Sequence, residues 1–174
     1  MDNRGTQYNV LFLGGGNAAR SIMAEAILNR EGGACFRAYS AGVQPLRELD
    51  HHAVELLKRL QFDVSGAHPK DWSELAGDGA PAFDFVFTVC DQATLLPRSM
   101  WKGRPLFAHW GIDDPAKAEG GVPERELAYA DAFRMLSNRI GIFVNLPLHA
   151  LGHLATQHHI ELIGQPAQPD VVAA

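Results

Sequence analysis

Short apolar runs alternate along this chain with longer stretches in which apolar positions recur every three to four residues. Tyr8–Leu13 (YNVLFL) is nearly all apolar, the pattern of a strand buried on both faces. Gly14-Gly15-Gly16-Asn17 interrupts it. The spacing of Ile22, Met23, Ala26 and Ile27 then predicts a helix over Arg20–Arg30, stopped by Gly32-Gly33. Cys35–Ser40 predicts a second strand, closed by Ala41-Gly42. Glu48–Leu60 predicts a second helix with Ala53, Val54, Leu57 and Leu60 on its inner face. Phe83–Cys90, rich in aromatic and β-branched residues, predicts a third strand, and Leu106–His109 a short fourth. Glu124–Val144 predicts a long helix that buries Leu127, Ala130, Phe133, Leu136, Ile140 and Phe143. After Pro147 an amphipathic segment runs to Ile163.

This alternation predicts an α/β fold, a three-layer α/β/α arrangement around a four-stranded parallel sheet. One domain is expected over residues 1–163, with a flexible tail over 164–174. The length of 174 residues fits one such domain, and 47% hydrophobic residues are enough for a sizeable core. The net charge of -5 and the lack of a dense Lys/Arg cluster speak against nucleic acid as a partner. No apolar run approaches the roughly 20 residues that a bilayer requires, so no membrane partner is expected. Met1–Gly5 is polar and lacks a signal-peptide core. Two cysteines, Cys35 and Cys90, form no disulfide framework, and a reduced cytoplasmic protein is the simplest expectation.

The chemistry concentrates in the loop after the first strand. Ligands of open parallel sheets sit at the carboxyl ends of strands, and this loop also opens a helix. Inward-pointing amides of Gly15, Gly16, Asn17, Ala18, Ala19 and the helix start would make an anion site. Asn17 tolerates the positive φ that such a tight loop needs, and Arg20 can offer a two-pronged fork to oxyanion oxygens. The plainer alternative is a glycine-rich turn followed by a surface arginine. The coincidence of strand, glycines, Asn, Arg and helix start favours the anion site.

Gly14-Gly15-Gly16-Asn17-Ala18-Ala19-Arg20-Ser21 resembles the Cys-x-x-Asn-x-x-Arg-Ser loop of low-molecular-weight protein tyrosine phosphatases and of the arsenate reductases built on their fold. Further similarities follow in order: Met23-Ala24-Glu25-Ala26, Ser40-Ala41-Gly42, Thr88-Val89-Cys90-Asp91, His109-Trp110-Gly111, Asp114-Pro115 and Asp131-Ala132-Phe133-Arg134. The resemblance spans roughly Tyr8 to Ile163 and is nearest to the thioredoxin-coupled arsenate reductase branch, through the Cys90 and His-Trp-Gly segments. It implies a loop thiolate that attacks phosphorus or arsenic, a Ser hydroxyl that helps hold it, and an acid at Asp114 that protonates the leaving oxygen.

The departure is at Gly14, where the resemblance places the nucleophilic cysteine. No covalent intermediate can form on a glycine. Cys90 matches the first of two later redox cysteines, but Thr94-Leu95-Leu96-Pro97 supplies no second one, which puts thioredoxin coupling in doubt. Cys90 is then either a packed thiol or a redox remnant. The expectation is an oxyanion-binding protein with family catalysis lost or impaired. Its ligand would be phosphate, arsenate, sulfate or a phosphorylated partner, with no cofactor. Residual or divergent reductase or phosphatase activity is the first alternative.

A second alternative is a dinucleotide fingerprint, Gly14-x-Gly16-x-x-Ala19, although the second strand ends without the acidic residue that holds a ribose. No metal site is expected: His149, His153, His158 and His159 lack a ligand set with fixed spacing, and His51-His52 reads as a solvated helix start. His109 and Trp110 can line the pocket mouth or pack in the core. The His149–Ile163 segment, with Leu151, Leu154, Ala155 and Ile163, can pack inward or form a homodimer face.

Overall fold

The computed structural model describes residues 7–166. Its main elements are β1 (Tyr8–Gly14), α1 (Arg20–Glu31), β2 (Phe36–Gly42), α2 (His51–Arg59), β3 (Phe85–Thr88), β4 (Leu106–His109), α3 (Val122–Val144) and α4 (His153–Gly164). The four strands are all parallel, in the order β2-β1-β3-β4. The chain leaves β1 for β2 on one side and later returns to β3 on the other. The carboxyl end of β1 is therefore the switch point at which such sheets open a crevice.

The burial of β1 explains its unbroken apolar run: Val10 to Leu13 are at most 1% exposed. Val10 and Phe12 face a core made with Ile22, Met23 and Ile27 of α1, Leu57 of α2, Leu136 and Phe143 of α3, and Ile160 of α4. Leu11 and Leu13 face a second cluster with Phe83, Val86, Cys90 and Trp101. That second face is covered by single-turn helices at Trp72–Leu75, Asp91–Leu95 and Arg98–Met100, so the third layer is thin. Within the first core Trp110 stacks on Phe87 at 3.9 Å between ring centroids, and its Nε1 donates to the Ile160 carbonyl.

Several expectations need correction. α2 begins at His51 rather than Glu48, because the Asp50 carboxylate caps it by accepting the Ala53 amide at 3.1 Å. Its inner residues are Ala53, Leu56 and Leu57, while Leu60 is exposed beyond the helix end. α3 buries Tyr129, Ala132, Leu136, Arg139, Ile140 and Phe143, and leaves Leu127 62% exposed. It is turned so that two polar side chains with partners, Tyr129 and Arg139, go inward. α4 buries Thr156 and Ile160, and Leu154 is 84% exposed. Gly164, expected in the tail, is the last residue of α4, and residues 167–174 of that tail lie outside the described residues. No helix among the described residues is long and apolar enough to cross a membrane.

Candidate functional site

Beyond Gly14 the chain cannot continue as a strand and turns over the end of the sheet. The carbonyls of Gly14, Gly15, Gly16 and Ala18 accept the amides of Val43, Gln44, Leu46 and Asp50 at 2.9–3.0 Å. These bonds tie the loop's carbonyls to the segment between β2 and α2. The amides of Gly15 to Ala19 donate no such backbone bond among the described residues. A loop with its carbonyls engaged and its amides left over can form the concave arrangement that binds anions.

Asn17 fixes the loop's shape. Its φ is 48°, the left-handed region that Asn tolerates. The side chain is buried, accepts the Lys70 amide at 2.8 Å and donates to Ser21 Oγ at 2.9 Å. Asn17→Ala removes both bonds and leaves a residue less suited to that φ. The expected loss is about 2–3 kcal/mol of unfolding free energy by urea titration, and Asn17→Gly, which keeps the backbone freedom, should recover part of it.

Gly14–Ser21, Asp50, Asp114, Leu46 and Ala116 line a single cleft of about 90 Å³. Every anion-binding residue expected from the sequence is in it, together with Asp114. The volume is well below the roughly 300 Å³ at the lower end for sites of larger organic ligands, which favours a small ion over a dinucleotide. Arg20 lines the cleft. Its Nη1 donates to the Ile112 carbonyl at 2.8 Å, and its Nη2 lies 3.3 Å from Asp114 Oδ2. A guanidinium has five N–H donors, so these contacts leave donors for a ligand. Asp114 is held in turn by the Ala116 amide at 3.1 Å, at the start of the turn Pro115–Lys117.

Position 14 is filled by a neighbour. A Cβ there would lie 2.8 Å from Ser21 Oγ and 3.3 Å from Ser21 Cβ. The Ser21 hydroxyl, 1% exposed at the residue level, thus takes the space that a side chain at 14 would enter.

The sequence reading missed Asp50. It falls inside the helix expected from Glu48, and nothing local says that it faces the loop. Oδ2 accepts the Tyr129 hydroxyl at 2.7 Å. Burial, and then the Asp50 carboxylate, push the Tyr129 phenol far above its usual range, so it remains a hydrogen-bond donor.

Cys90 is not part of the cleft lining. It is buried beside the loop, with Sγ 3.8 Å from where a Cβ on Gly15 would stand. Cys35 is exposed just before β2. Trp110 is fully buried in the core and lines neither this cleft nor the next. His109 lines a separate small cleft with Thr88, Arg98 and Phe107, where its Nδ1 meets Thr88 Oγ1 at 2.8 Å and its Nε2 meets Asp91 at 3.2 Å. Among the described residues no three His, Cys, Asp or Glu side chains are grouped to hold a metal ion.

Among curated relatives, the arsenate reductase of Bacillus subtilis is 31% identical over 135 residues, covering 77% of this chain and 93% of its own. That of Oceanobacillus iheyensis is 28% identical over 138 residues, with the same coverage. The crystal structure of arsenate reductase from Archaeoglobus fulgidus superimposes with a TM-score of 0.58 at 28% identity, over 76% of this chain and 98% of the other. The sequence profile described as low molecular weight phosphotyrosine protein phosphatase matches residues 9–144. This chain belongs to that phosphatase family, and its curated relatives within it include arsenate reductases.

Proposed function

We propose that this protein binds a tetrahedral oxyanion, phosphate or arsenate, in the cleft of Gly14–Ser21 and does not carry out the covalent turnover of its relatives. One observation carries the reading. The cradle is complete in its amides, Asn17 and Arg20, while the position that would supply a nucleophile is a glycine whose space Ser21 fills. An anion in the cleft would meet inward amides, the N-terminus of α1 and the free donors of Arg20. It would compete with Asp114 for the guanidinium. Cys90, the one cysteine beside the loop, does not line the cleft, and a thiol relay to thioredoxin would lack both its first member and a partner.

The test combines binding and turnover on the same preparation. Calorimetric titration with phosphate and arsenate should show one site. Arg20→Ala should weaken it about 30-fold, the value of one charge-assisted contact. Arsenate reduction coupled to thioredoxin, and hydrolysis of an aryl phosphate, should stay at the background rate. Turnover at rates typical of enzymes, roughly 1–1000 per second, would refute the loss of catalysis. Unchanged affinity in Arg20→Ala would move the anion elsewhere.

A further inference from the structure

Both contacts of the Arg20 guanidinium among the described residues go to one segment, 112–121, between β4 and α3. Nη1 donates to the Ile112 carbonyl at 2.8 Å, and Nη2 lies 3.3 Å from Asp114 Oδ2. The two side chains of that ion pair are 16% and 30% exposed, so water screens it less than a surface pair. Asp114 also starts the single turn Pro115–Lys117, where its Oδ1 accepts the Ala116 amide. The other backbone bonds of the turn are internal: the Lys117 amide donates to the Asp114 carbonyl and the Ala118 amide to that of Pro115. Ala116 and Lys117 are exposed, while Pro115 is buried and gives the turn a pivot. Glycines bound the segment, Gly111 before it and Gly120-Gly121 at its end, with Gly120 at a φ of 107°. The turn is thus tied to the anion loop through Arg20.

A carboxylate and an oxyanion make the same demand on a guanidinium: oxygens that accept its N–H groups and a charge that opposes its own. Two such groups crowded on one cation repel each other. We infer that segment 112–121 is an anion-operated switch, pinned to Arg20 through Asp114 until phosphate or arsenate takes that edge of the guanidinium and releases the turn. This deepens the proposed function and rests on the cleft being an anion site. It gives a protein without turnover a means to report occupancy, because the exposed turn changes its surface when the anion enters. Linkage fixes the reciprocal effect: if the anion releases the turn, removing the charge that pins the turn must tighten the anion.

The experiment is amide hydrogen exchange of the full chain with and without sodium phosphate, beside calorimetric titration at fixed ionic strength. Phosphate should slow exchange over residues 15–20 and speed it several-fold over 116–118. The acceleration is the informative sign, because a ligand that only stabilises the fold slows exchange or leaves it alone. Asp114→Asn removes the charge and keeps a side chain that can cap the turn. In this variant 116–118 should exchange fast from the outset and not respond to phosphate. Its affinity for phosphate should be about fivefold tighter, the worth of a partly exposed ion pair. Protection of both segments by phosphate would overturn the switch and leave the anion site standing. So would an affinity unchanged or weakened in Asp114→Asn. Neither heat of binding nor protection over 15–20 would overturn the anion site, and the switch with it.

Discussion

Gly14→Cys is expected to raise hydrolysis of p-nitrophenyl phosphate at least about 1000-fold above the unaltered chain, since restoring one missing member of a cooperating catalytic set restores the set. The residues that would act with it line the same cleft. The unpaired loop amides and the start of α1 would lower the thiol's pKa, and Arg20 would orient the phosphoryl group. Asp114 lines the same cleft, where it would be the acid that protonates the leaving oxygen. The substitution carries a structural penalty. Its Cβ would stand 2.8 Å from Ser21 Oγ, so that hydroxyl must rotate and give up its bond from Asn17. Ser21 Cβ, 3.3 Å away, leaves little slack. The variant should lose about 1–3 kcal/mol of stability through this crowding. Steady-state kinetics and a denaturation curve on one preparation report both effects. A folded variant that binds phosphate but hydrolyses nothing would show that the cleft no longer aligns an attacking group. Arsenate reduction should not cycle in this variant, because among the described residues Cys90 is the one thiol packed near the loop.

The fold was legible because each element obeys its own local rule. β1 is apolar on both faces as a central parallel strand must be, and Gly14 ends it where the sheet ends. The loop was legible for the same reason, since its positive φ, glycines, arginine and helix start are adjacent in the chain. What could not be read were placements decided by distant partners. Leu127 fits the apolar period of α3 yet faces solvent, because Tyr129 and Arg139 find hydrogen-bond partners inside and turn the helix toward them. Asp50 falls inside the helix expected from Glu48, and only the bond from its amide to the Ala18 carbonyl places it against the anion loop. Ser21's occupation of position 14 is likewise invisible along the chain, because it depends on how α1 meets the end of β1.

Arg139→Ala should be strongly destabilising although it lies away from the cleft, by about 3–5 kcal/mol in chemical denaturation. Arg139 is 8% exposed, and burial holds its guanidinium below the usual arginine range. It donates through Nη1 to the carbonyls of Trp110 and Gly111, at 2.7 and 3.1 Å, and through Nη2 to that of Gly164 at 3.3 Å. The last of these is an end carbonyl of α4, where the helix dipole favours a cation. Alanine would strand three carbonyls in a dry site and open a cavity beside them. Lysine keeps the charge but not the fork, and Arg139→Lys should fall between, losing about 1–2 kcal/mol. The effect should also reach the anion loop. Arg139 holds Trp110 and Gly111 from the core side, and Arg20 holds the next carbonyl, Ile112, from the cleft side. Slack introduced by lysine should loosen Arg20 and weaken phosphate binding several-fold while the protein remains folded. An alanine variant within about 0.5 kcal/mol of the unaltered chain would mean that water serves these carbonyls as well as the guanidinium does.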